Sequence, residues 1–313
     1  MTDLPKASQF LDTHARLIDR RRFAFLFAGG APEGVVDALR GYLNRDGGAG
    51  WGLEPDLRGP ASQPAGALHA LETLAEVGPL TDPMAARLCD WLASASLADG
   101  GLPFALPGSG GPGSAPHWAG ADHSRSSLHI TSAVCWAAHR VAAHDAAVAA
   151  HPWLARATAY CRERIAALDA PGGAYELLYV LRLLDLLHDR EAWAAEESAR
   201  LGAFLPRSGV LAVAGGVEGE ALRPLDLSPE PGRPLRDLVS SEAVAGDLDR
   251  LAAGQREDGG WEVGFPAFSP GAAIEWRGSE TVRALTVLAA NGRLDAGAPA
   301  PLTRSAPAPT APG

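Results

Sequence analysis

Cysteine is scarce in this chain of 313 residues: there are three, and no two of them form a CxxC pair. An odd number of widely spaced cysteines argues against a disulfide scaffold and a cysteine-based zinc site, and it fits a reducing cytoplasm. Long apolar runs are also missing, because the most apolar early stretch covers only residues 23–28. A membrane-spanning helix needs roughly 20 such residues. The first residues, MTDLPKAS, do not predict a secretory signal.

Positive charge is in deficit. The chain has 27 Lys and Arg against 37 Asp and Glu, a net charge of −10, which argues against a nucleic-acid partner. Three arginines at residues 20–22 precede the apolar stretch, so a weak contact with a membrane surface is one interpretation. A buried helix end is the favoured one. The sequence does not indicate an oligomeric state or a resident cofactor.

Strand patterns are few. Helical periodicity or apolar runs predict helices over residues 64–77, 152–168, 175–187 and 236–255. One small β-hairpin is predicted from residues 210–213 and 222–227, which flank a Gly-rich turn. We therefore expect a single all-α domain over residues 1–294. The Ala/Pro-rich segment 295–313 is predicted to be a disordered tail.

What the chain does have is an internal repeat. An Asp-Gly-Gly turn followed by an apolar residue occurs in residues 46–52, 98–104 and 255–261, and a degenerate copy occupies residues 170–175. Each turn is followed by a loop and a helix. The first glycine can cap the outgoing helix in a left-handed conformation, and an aromatic side chain can pack back against helix ends. Amphipathic helical hairpins of this kind are expected to stack on one another.

The segment Gln255-x-x-Asp258-Gly259-Gly260-Trp261 resembles the QW repeat of the prenyltransferase and squalene-cyclase superfamily. The resemblance covers roughly residues 33–292. It implies an α/α toroid of about five to six helical hairpins around a central cavity. Because only about ten helices are recognisable, we expect the ring to be incomplete or to be closed by the N-terminal helix.

The catalytic motifs of known members of that superfamily are not matched. Class II terpene cyclases carry DxDD, which is absent; the nearest string, residues 247–249, is predicted to be a solvated helix face. No DDxxD is present to bind a magnesium diphosphate, and no Asp, Cys and His trio aligns with the zinc ligands of protein prenyltransferases. No metal site is therefore predicted from the resemblance.

Polar residues in the loops before the inner helices are the candidates for chemistry. Loop 51–58 brings together Trp51, Glu54, Asp56 and Arg58. The two carboxyl groups can act as acid and base or hold a substrate hydroxyl, with Trp51 at the rim. The alternative is a loop that is stabilised by ion pairs of Arg58.

A second candidate loop contains His117, Trp118, Asp122 and His123, and His129 begins the next helix. An aspartate beside a histidine can orient the imidazole and raise its pKa, so Asp122 and His123 are predicted as an acid/base pair. Three histidines and an aspartate also suit a metal ion, but their spacing matches no compact motif. The remaining alternative is a capped loop with exposed imidazoles.

A third set of candidates lies at the start of the helix predicted over residues 175–187. Glu176 stands between Tyr175 and Tyr179 in an apolar helix, where desolvation would raise its pKa and suit a general acid. It can equally be a helix N-terminal acid favoured by the helix dipole.

The segment after the third turn is the last candidate. Glu275 and Arg277 are expected to pair across the cavity rim, with Trp276 as a wall, and Ser279 is expected to cap the last helix.

The function that the resemblance implies is a terpene-cyclase-like enzyme acting on a hydrophobic, isoprenoid-like small molecule. Glu176 or the Asp122/His123 pair would donate the proton, and aromatic side chains would stabilise positive charge. One alternative is a carbohydrate-active α/α toroid that uses paired carboxylates. Another is a ligand-binding scaffold without catalysis, which the absence of DxDD favours.

Overall fold

A computed structural model of the chain describes residues 2–294, so the predicted tail lies outside the described part. In those residues the chain forms fourteen α-helices. They are α1 (Leu4–His14), α2 (Leu17–Phe27), α3 (Pro32–Arg40), α4 (Pro64–Val77), α5 (Met84–Ala95), α6 (Pro116–Ala119), α7 (Leu128–Ala142), α8 (Ala146–Ala149), α9 (Pro152–Ala166), α10 (Ala174–Leu187), α11 (Ala192–Gly202), α12 (Pro224–Leu227), α13 (Ser241–Ala253) and α14 (Pro270–Ala290). A short 3-10 helix covers Pro234–Leu238.

The prediction of an all-α fold is confirmed. The helix predicted over residues 64–77 is α4, and the apolar stretch 175–187 lies in α10. The small hairpin is present as β1 (Leu211–Ala212) and β2 (Ala221–Leu222), which pair antiparallel. Its second strand is shorter than predicted, because Pro224 starts α12, and a proline ring is well suited to the first turn of a helix.

Contacts between the helices run in a closed circuit. Helix α2 packs on α3, α3 on α4, α4 on α7, α7 on α10, α10 on α12, α12 on α13, α13 on α14, and α14 packs back on α2. Helices α5, α9, α11 and α1 pack against α4, α7, α10 and α14 respectively. The toroid remains a prediction, and this circuit supports it.

The three Asp-Gly-Gly turns share one backbone geometry. The first glycine has a positive φ, 91° at Gly47, 90° at Gly100 and 95° at Gly259. The second glycine donates its N–H to the carboxylate of the preceding aspartate, at 2.9 Å in the first turn and 3.1 Å in the other two. Each turn therefore needs glycine because the left-handed region is strained for residues with a Cβ.

Each turn also packs on one particular outer helix. A Cβ on the second glycine would lie 2.6 Å from Trp91 of α5 in the first turn, and 2.6 Å from Tyr160 of α9 in the second. In the third turn the Cβ on Gly260 would lie 2.8 Å from Phe10 of α1. Helix α1 thus stands beside the last turn as α5 and α9 stand beside the first two, so it belongs to the outer helices, and α2 is the N-terminal helix that closes the circuit onto α14.

Two expectations about helices are wrong. Helix α14 begins at Pro270 and is capped by Ser269, whose Oγ accepts a hydrogen bond from Ala272 N–H, so Ser279 lies within the helix. Residues 247–249 are not a wholly solvated face. The carboxylate of Asp247 is buried and accepts hydrogen bonds from the Leu225 N–H and Arg250, because α12 packs on α13.

The apolar stretch after the three arginines belongs to the core. Phe23, Leu26 and Phe27 of α2 are buried, and Arg22 forms a salt bridge of 2.7 Å with Glu76 of α4. These side chains pack in the interior, as the favoured interpretation predicts. Within residues 2–294, every helix is too short or too polar to cross a bilayer.

Candidate functional site

The facing sides of α4, α7, α10 and α14 carry polar and aromatic side chains rather than the aliphatic residues of their other faces. His69, Glu72 and Tyr179 are surrounded by protein. The side chains of His69 and Glu72 nevertheless keep 24% and 29% of their surface accessible to water. His69 and Glu72 are therefore packed among other side chains while part of each still reaches water.

His69 of α4 is held between two carboxylates. Its Nε2 lies 2.6 Å from Glu54 Oε2, and its Nδ1 lies 2.8 Å from Glu72 Oε2. Glu72 is three residues farther along α4, on the same helix face, and Glu54 comes from the loop after the first turn. The loop carboxylate is itself fixed, because Glu54 Oε1 accepts the Asp56 N–H at 3.0 Å.

The geometry sets the protonation state of His69. An ionised carboxylate only accepts hydrogen bonds, so both ring nitrogens must donate and the ring is an imidazolium. Burial by itself lowers the pKa of His69, but the hydrogen bonds to Glu54 and Glu72 outweigh it and raise the pKa to about 10. Burial by itself raises the pKa of Glu72, but the hydrogen bond from His69 outweighs it and holds that pKa below the ordinary value.

Asp56 is a buried carboxyl group at the edge of the same site. Its Oδ1 accepts the Phe268 N–H at 2.9 Å, and its Oδ2 accepts the indole N–H of Trp276 at 2.7 Å. Burial raises the pKa of Asp56 above its ordinary value, although these two hydrogen bonds act to lower it. A carboxylate has about four lone-pair positions, so two remain for a proton.

Glu54, Asp56, His69 and Glu72 form what we call the acidic site. Trp276 joins this site to an aromatic cluster. Its ring lies 6.0 Å from the His69 ring and 5.0 Å from Phe265, both edge-to-face. The sequence prediction of Trp276 as a wall is consistent with this position. Because α14 starts at Pro270, Trp276 is a helix residue and not a loop residue, which fixes its indole more firmly than a loop would.

His129 of α7 belongs to a second aromatic cluster. Its ring stacks on Tyr175 at 6.0 Å and on Tyr179 at 5.6 Å, and it lies 5.4 Å from Phe104. Phe104 in turn stacks on the buried Trp118 at 4.8 Å. Burial lowers the pKa of His129 to about 4, so its ring is neutral at physiological pH and acts as part of an aromatic wall.

His117 lies at the exposed edge of this wall. Its ring is 4.8 Å from Trp118 and 5.8 Å from Phe268. Burial of the ring face against these neighbours lowers the pKa of His117 below the ordinary value. Five of the predicted substrate-binding residues therefore lie in one connected aromatic cluster with Phe104: His117, Trp118, His129, Tyr175 and Tyr179.

The expected pairing of Glu275 with Arg277 is wrong. Glu275 forms a salt bridge with Arg58, while Arg277 binds Asp258 at 2.8 Å and Glu262 at 3.2 Å. The cause is helical geometry, since residues two apart on a helix point away from each other. Arg58 thereby links the first loop to α14.

The predicted acid/base pair of Asp122 and His123 is not formed. Asp122 is exposed, and its Oδ1 accepts hydrogen bonds from the Ser124 hydroxyl and N–H. These bonds, the hydroxyl one first, lower the pKa of Asp122, which is the wrong direction for a proton donor. The Nδ1 of His123 lies 2.9 Å from the Ala105 carbonyl oxygen instead. This geometry matches the alternative of a capped loop.

Glu176 and Trp51 lie apart from the acidic site. Glu176 Oε1 accepts the Gly172 N–H at 2.7 Å, so this carboxylate closes the turn before α10, in line with the alternative of a helix N-terminal acid. Trp51 is 57% exposed, and its indole donates to Asn44 Oδ1 at 2.7 Å. Its φ of 59° lies in the left-handed region.

Sequence reasoning missed His69 and Glu72, although a signal was present. They are polar residues three apart on a helix whose other positions are almost all apolar. A histidine and a glutamate at that spacing share one helix face, which marks them as a pair. No group of three or more His, Cys, Asp or Glu side chains converges as a metal site within residues 2–294.

Compared with models of known protein families and with curated proteins, the chain has no match.

Proposed function

We propose that this protein is a terpene-cyclase-like enzyme that protonates a hydrophobic, isoprenoid-like small molecule in the space between the inner helices. The observation that supports it is a buried carboxyl group of raised pKa, Asp56, beside an aromatic wall. This proposal moves the proton donor from Glu176 and the Asp122/His123 pair to Asp56.

The chemistry needs one proton transfer to begin. The carboxyl proton of Asp56 passes to one carbon of a substrate C=C bond, which leaves Asp56 ionised and a carbocation on the other carbon. A second C=C bond of the substrate can attack the cation, which closes a ring and leaves a new cation. The cation then loses a proton, or is captured by water with loss of a proton, and a proton returns from the solvent to the Asp56 carboxylate, which restores the acid. The indole N–H of Trp276 and the N–H of Phe268 stabilise the Asp56 carboxylate that forms.

The aromatic residues suit the charge that develops. Ring faces attract cations, and this attraction grows where water is excluded. Trp276, Tyr179 and the neutral ring of His129 offer such faces along the interior. The imidazolium of His69 carries charge of the same sign as the cation, but its two carboxylate partners neutralise it.

A carbohydrate-active enzyme is less well supported. Two carboxylates of a glycosidase flank the bond to be cut, with room for a sugar or a water between them. Here Glu54 and Glu72 flank the imidazole of His69, which occupies the space between them. A scaffold that binds without catalysis is the third candidate, and the experiment below separates it from the first.

The test is turnover of linear polyprenyl alcohols and hydrocarbons in deuterated water, followed by mass spectrometry of the extracted products. We expect a cyclised or hydrated product that carries deuterium at the protonated carbon. Asp56→Asn keeps the side-chain shape and one acceptor oxygen, and we expect it to reduce the rate by at least about 100-fold, the usual contribution of a general acid.

Asp122→Asn is the matched control, because Asp122 is exposed and its carboxylate is hydrogen-bonded to Ser124 of its own loop; we expect it to keep the activity of the native chain. Turnover that survives in Asp56→Asn would exclude Asp56 as the acid. Binding of an isoprenoid without any product would favour the scaffold. If the chain shows no binding and no turnover, the proposal is contradicted.

A further inference from the structure

Two of the three cysteines, although far apart in sequence, lie together between α7 and α9. Cys135 of α7 and Cys161 of α9 are free thiols, are fully buried and interact directly with each other. The two helices pack against one another and are joined by a short connection that contains α8. The proposed proton transfer uses neither thiol, so the pair stands outside the site described above.

Hydrogen bonds place the pair at the interface of the two helices. The Cys135 Sγ atom lies 3.4 Å from Thr158 Oγ1, and the Nε2 atom of His139, one turn farther along α7, lies 2.8 Å from the same oxygen. The Thr158 hydroxyl donates its single proton to the Leu154 carbonyl at 2.7 Å, so its oxygen accepts from both of these neighbours. Cys161 is three residues beyond Thr158, on the same face of α9.

The surroundings make the two thiols unequal. The Cys161 thiol lowers the pKa of Cys135 most, burial acts to raise it, and His139 and Thr158 lower it again, so that it lies well below the ordinary value. Burial and the neighbouring Cys135 raise the pKa of Cys161. The nucleophile in cysteine chemistry is the thiolate. Cys135 is therefore the thiol that reacts first, and Cys161 is placed to react second.

The third cysteine is not in this state. Cys89 of α5 is also buried, and burial together with the nearby carboxylates of Asp145 and Asp90 raises its pKa to about 12. It therefore stays a protonated thiol at neutral pH. Cys89 thus serves as a reference inside the same chain for a buried cysteine that does not react.

The pair has one edge toward water. His139 and Thr158 are half-buried, whereas the two cysteines are fully enclosed. A small oxidant can approach the Cys135 sulfur from this edge. Because oxidation of cysteine follows thiolate character and access, Cys135 is the favoured first target among the three cysteines.

We propose that Cys135 and Cys161 form a reversible disulfide in response to hydrogen peroxide, and that this bond ties α7 to α9. The Cys135 thiolate attacks one peroxide oxygen; the O–O bond breaks, a sulfenic acid forms, and the leaving hydroxide takes up the proton that Cys135 lost. The Cys161 sulfur then attacks the Cys135 sulfur; the S–O bond breaks, the S–S bond forms, and the departing hydroxide takes up the Cys161 proton. Two thiols are oxidised, and one peroxide is reduced to two waters.

Reduction restores the pair, because a thiol reductant breaks the disulfide by exchange. In a reducing compartment disulfides are usually transient and redox-sensing, which fits a pair of this kind better than a permanent cross-link. Helix α7 also carries His129 of the aromatic wall, so the disulfide would fix that helix against an outer one. The proposal does not depend on the proposed proton transfer.

The test treats the folded, reduced chain with a small excess of hydrogen peroxide and maps the products by non-reducing tryptic digestion and mass spectrometry. We expect the number of free thiols to fall from three to one. The peptide of residues 126–140 should be joined to the peptide of residues 157–162, and a thiol reductant should separate them. This measurement uses the native chain, so it does not depend on whether any variant folds.

Variants separate the roles of the two thiols. In Cys161→Ser, the reaction should stop at the sulfenic acid of Cys135, which dimedone traps. In Cys135→Ser, Cys161 should remain unmodified. Cys89→Ser is the matched control, because it removes a buried cysteine of an adjacent helix, and it should form the same disulfide as the native chain.

Three results would overturn the proposal. One is a folded chain that keeps three free thiols in peroxide, as expected of inert buried cysteines. Another is a disulfide that includes Cys89. The third is oxidation that occurs only in denaturing urea, since the thiols would then react as parts of an unfolded chain and not as a pair held by α7 and α9.

Discussion

The Nε2 atom of His69 and the Oε2 atom of Glu54 lie 2.6 Å apart, and this contact ties the first inner helix to the loop that precedes it. Glu72 binds the other ring nitrogen, so the imidazole is saturated by two carboxylates. Glu54 also accepts the Asp56 N–H, and this hydrogen bond holds Asp56 in position. The acidic site is therefore built from one loop and one helix face.

The first prediction concerns the titration of His69. NMR of the ring should show a protonated imidazole up to a pKa of about 10, because two carboxylates stabilise its charge. Glu72→Gln should lower that pKa by removing one of them. His129, whose pKa is about 4, serves as the internal control. A neutral His69 ring at pH 7 would contradict the arrangement.

The same pair predicts how stability depends on pH. The folded pKa of His69, about 10, lies above the unfolded value of 6.5, so its contribution is fully present below pH 6.5 and is lost as pH rises toward 10. The folded pKa of Glu72 is depressed, so its contribution is present above the ordinary value of 4.5 and is lost as pH falls through the folded pKa. Urea unfolding across this pH range measures both changes in the free energy of unfolding. His69→Gln should remove the loss of stability at alkaline pH.

A second prediction tests whether α1 packs on the last Asp-Gly-Gly turn. Gly260→Ala would place a Cβ 2.8 Å from the Phe10 ring, and we expect it to cost about 1–3 kcal/mol of unfolding free energy through overpacking. In a Phe10→Ala background the cost of the same substitution should largely vanish, because the clashing ring is gone.

Gly246→Ala on the surface of α13 is the control, since a Cβ there meets nothing within 4 Å. It should stabilise the chain by about 0.5–1 kcal/mol, as alanine does within a helix. Equal costs of Gly260→Ala with and without Phe10 would show that α1 does not pack on this turn.

A third prediction concerns Asp19, whose side chain is fully buried. It lies 2.8 Å from Arg16 and 3.4 Å from Arg22, so Asp19→Asn would leave the enclosed guanidinium group of Arg16 without its carboxylate, while Arg22 would keep its salt bridge to Glu76. Removing one partner of a buried ion pair typically costs about 3–5 kcal/mol. Denaturant unfolding measures it against Asp37→Asn, whose carboxylate is 73% exposed and should change stability by no more than about 0.5 kcal/mol.

A fourth prediction concerns the salt bridge between Arg58 and Glu275. Both side chains keep part of their surface in water, so Glu275→Gln should cost at most about 1 kcal/mol, and less at high salt. Thermal unfolding at two salt concentrations measures this, with Glu257→Gln, on an exposed turn, as the control. A large loss that salt does not reduce would indicate that Glu275 has a further partner.

Much of the fold could be predicted from local sequence. The boundaries of α4 are marked by Pro64 and Gly78, and the three Asp-Gly-Gly turns were found from spacing alone because each needs a glycine at positive φ. The start of α14 was misplaced, because Ser269 and Ser279 are both plausible caps, and helix packing rather than local sequence decides between them.

The candidate site depends on contacts between distant segments. Glu54 and Asp56 were recognised as carboxyl groups, but their partners His69, Trp276 and Phe268 lie up to 220 residues away. Asp122 and His123 are neighbours in sequence and yet bind other groups. Adjacency along the chain sets which groups are available, whereas burial and hydrogen bonding across the fold set their pKa values.

The sequence by itself determined the all-α class, the repeated turns and the set of polar loops, because glycine, proline and helical periodicity act locally. Only the tertiary structure decided which carboxyl groups are buried and which histidine is charged. Those properties arise from desolvation and from charges brought together by helices α4, α7, α10 and α14, and no local pattern encodes them.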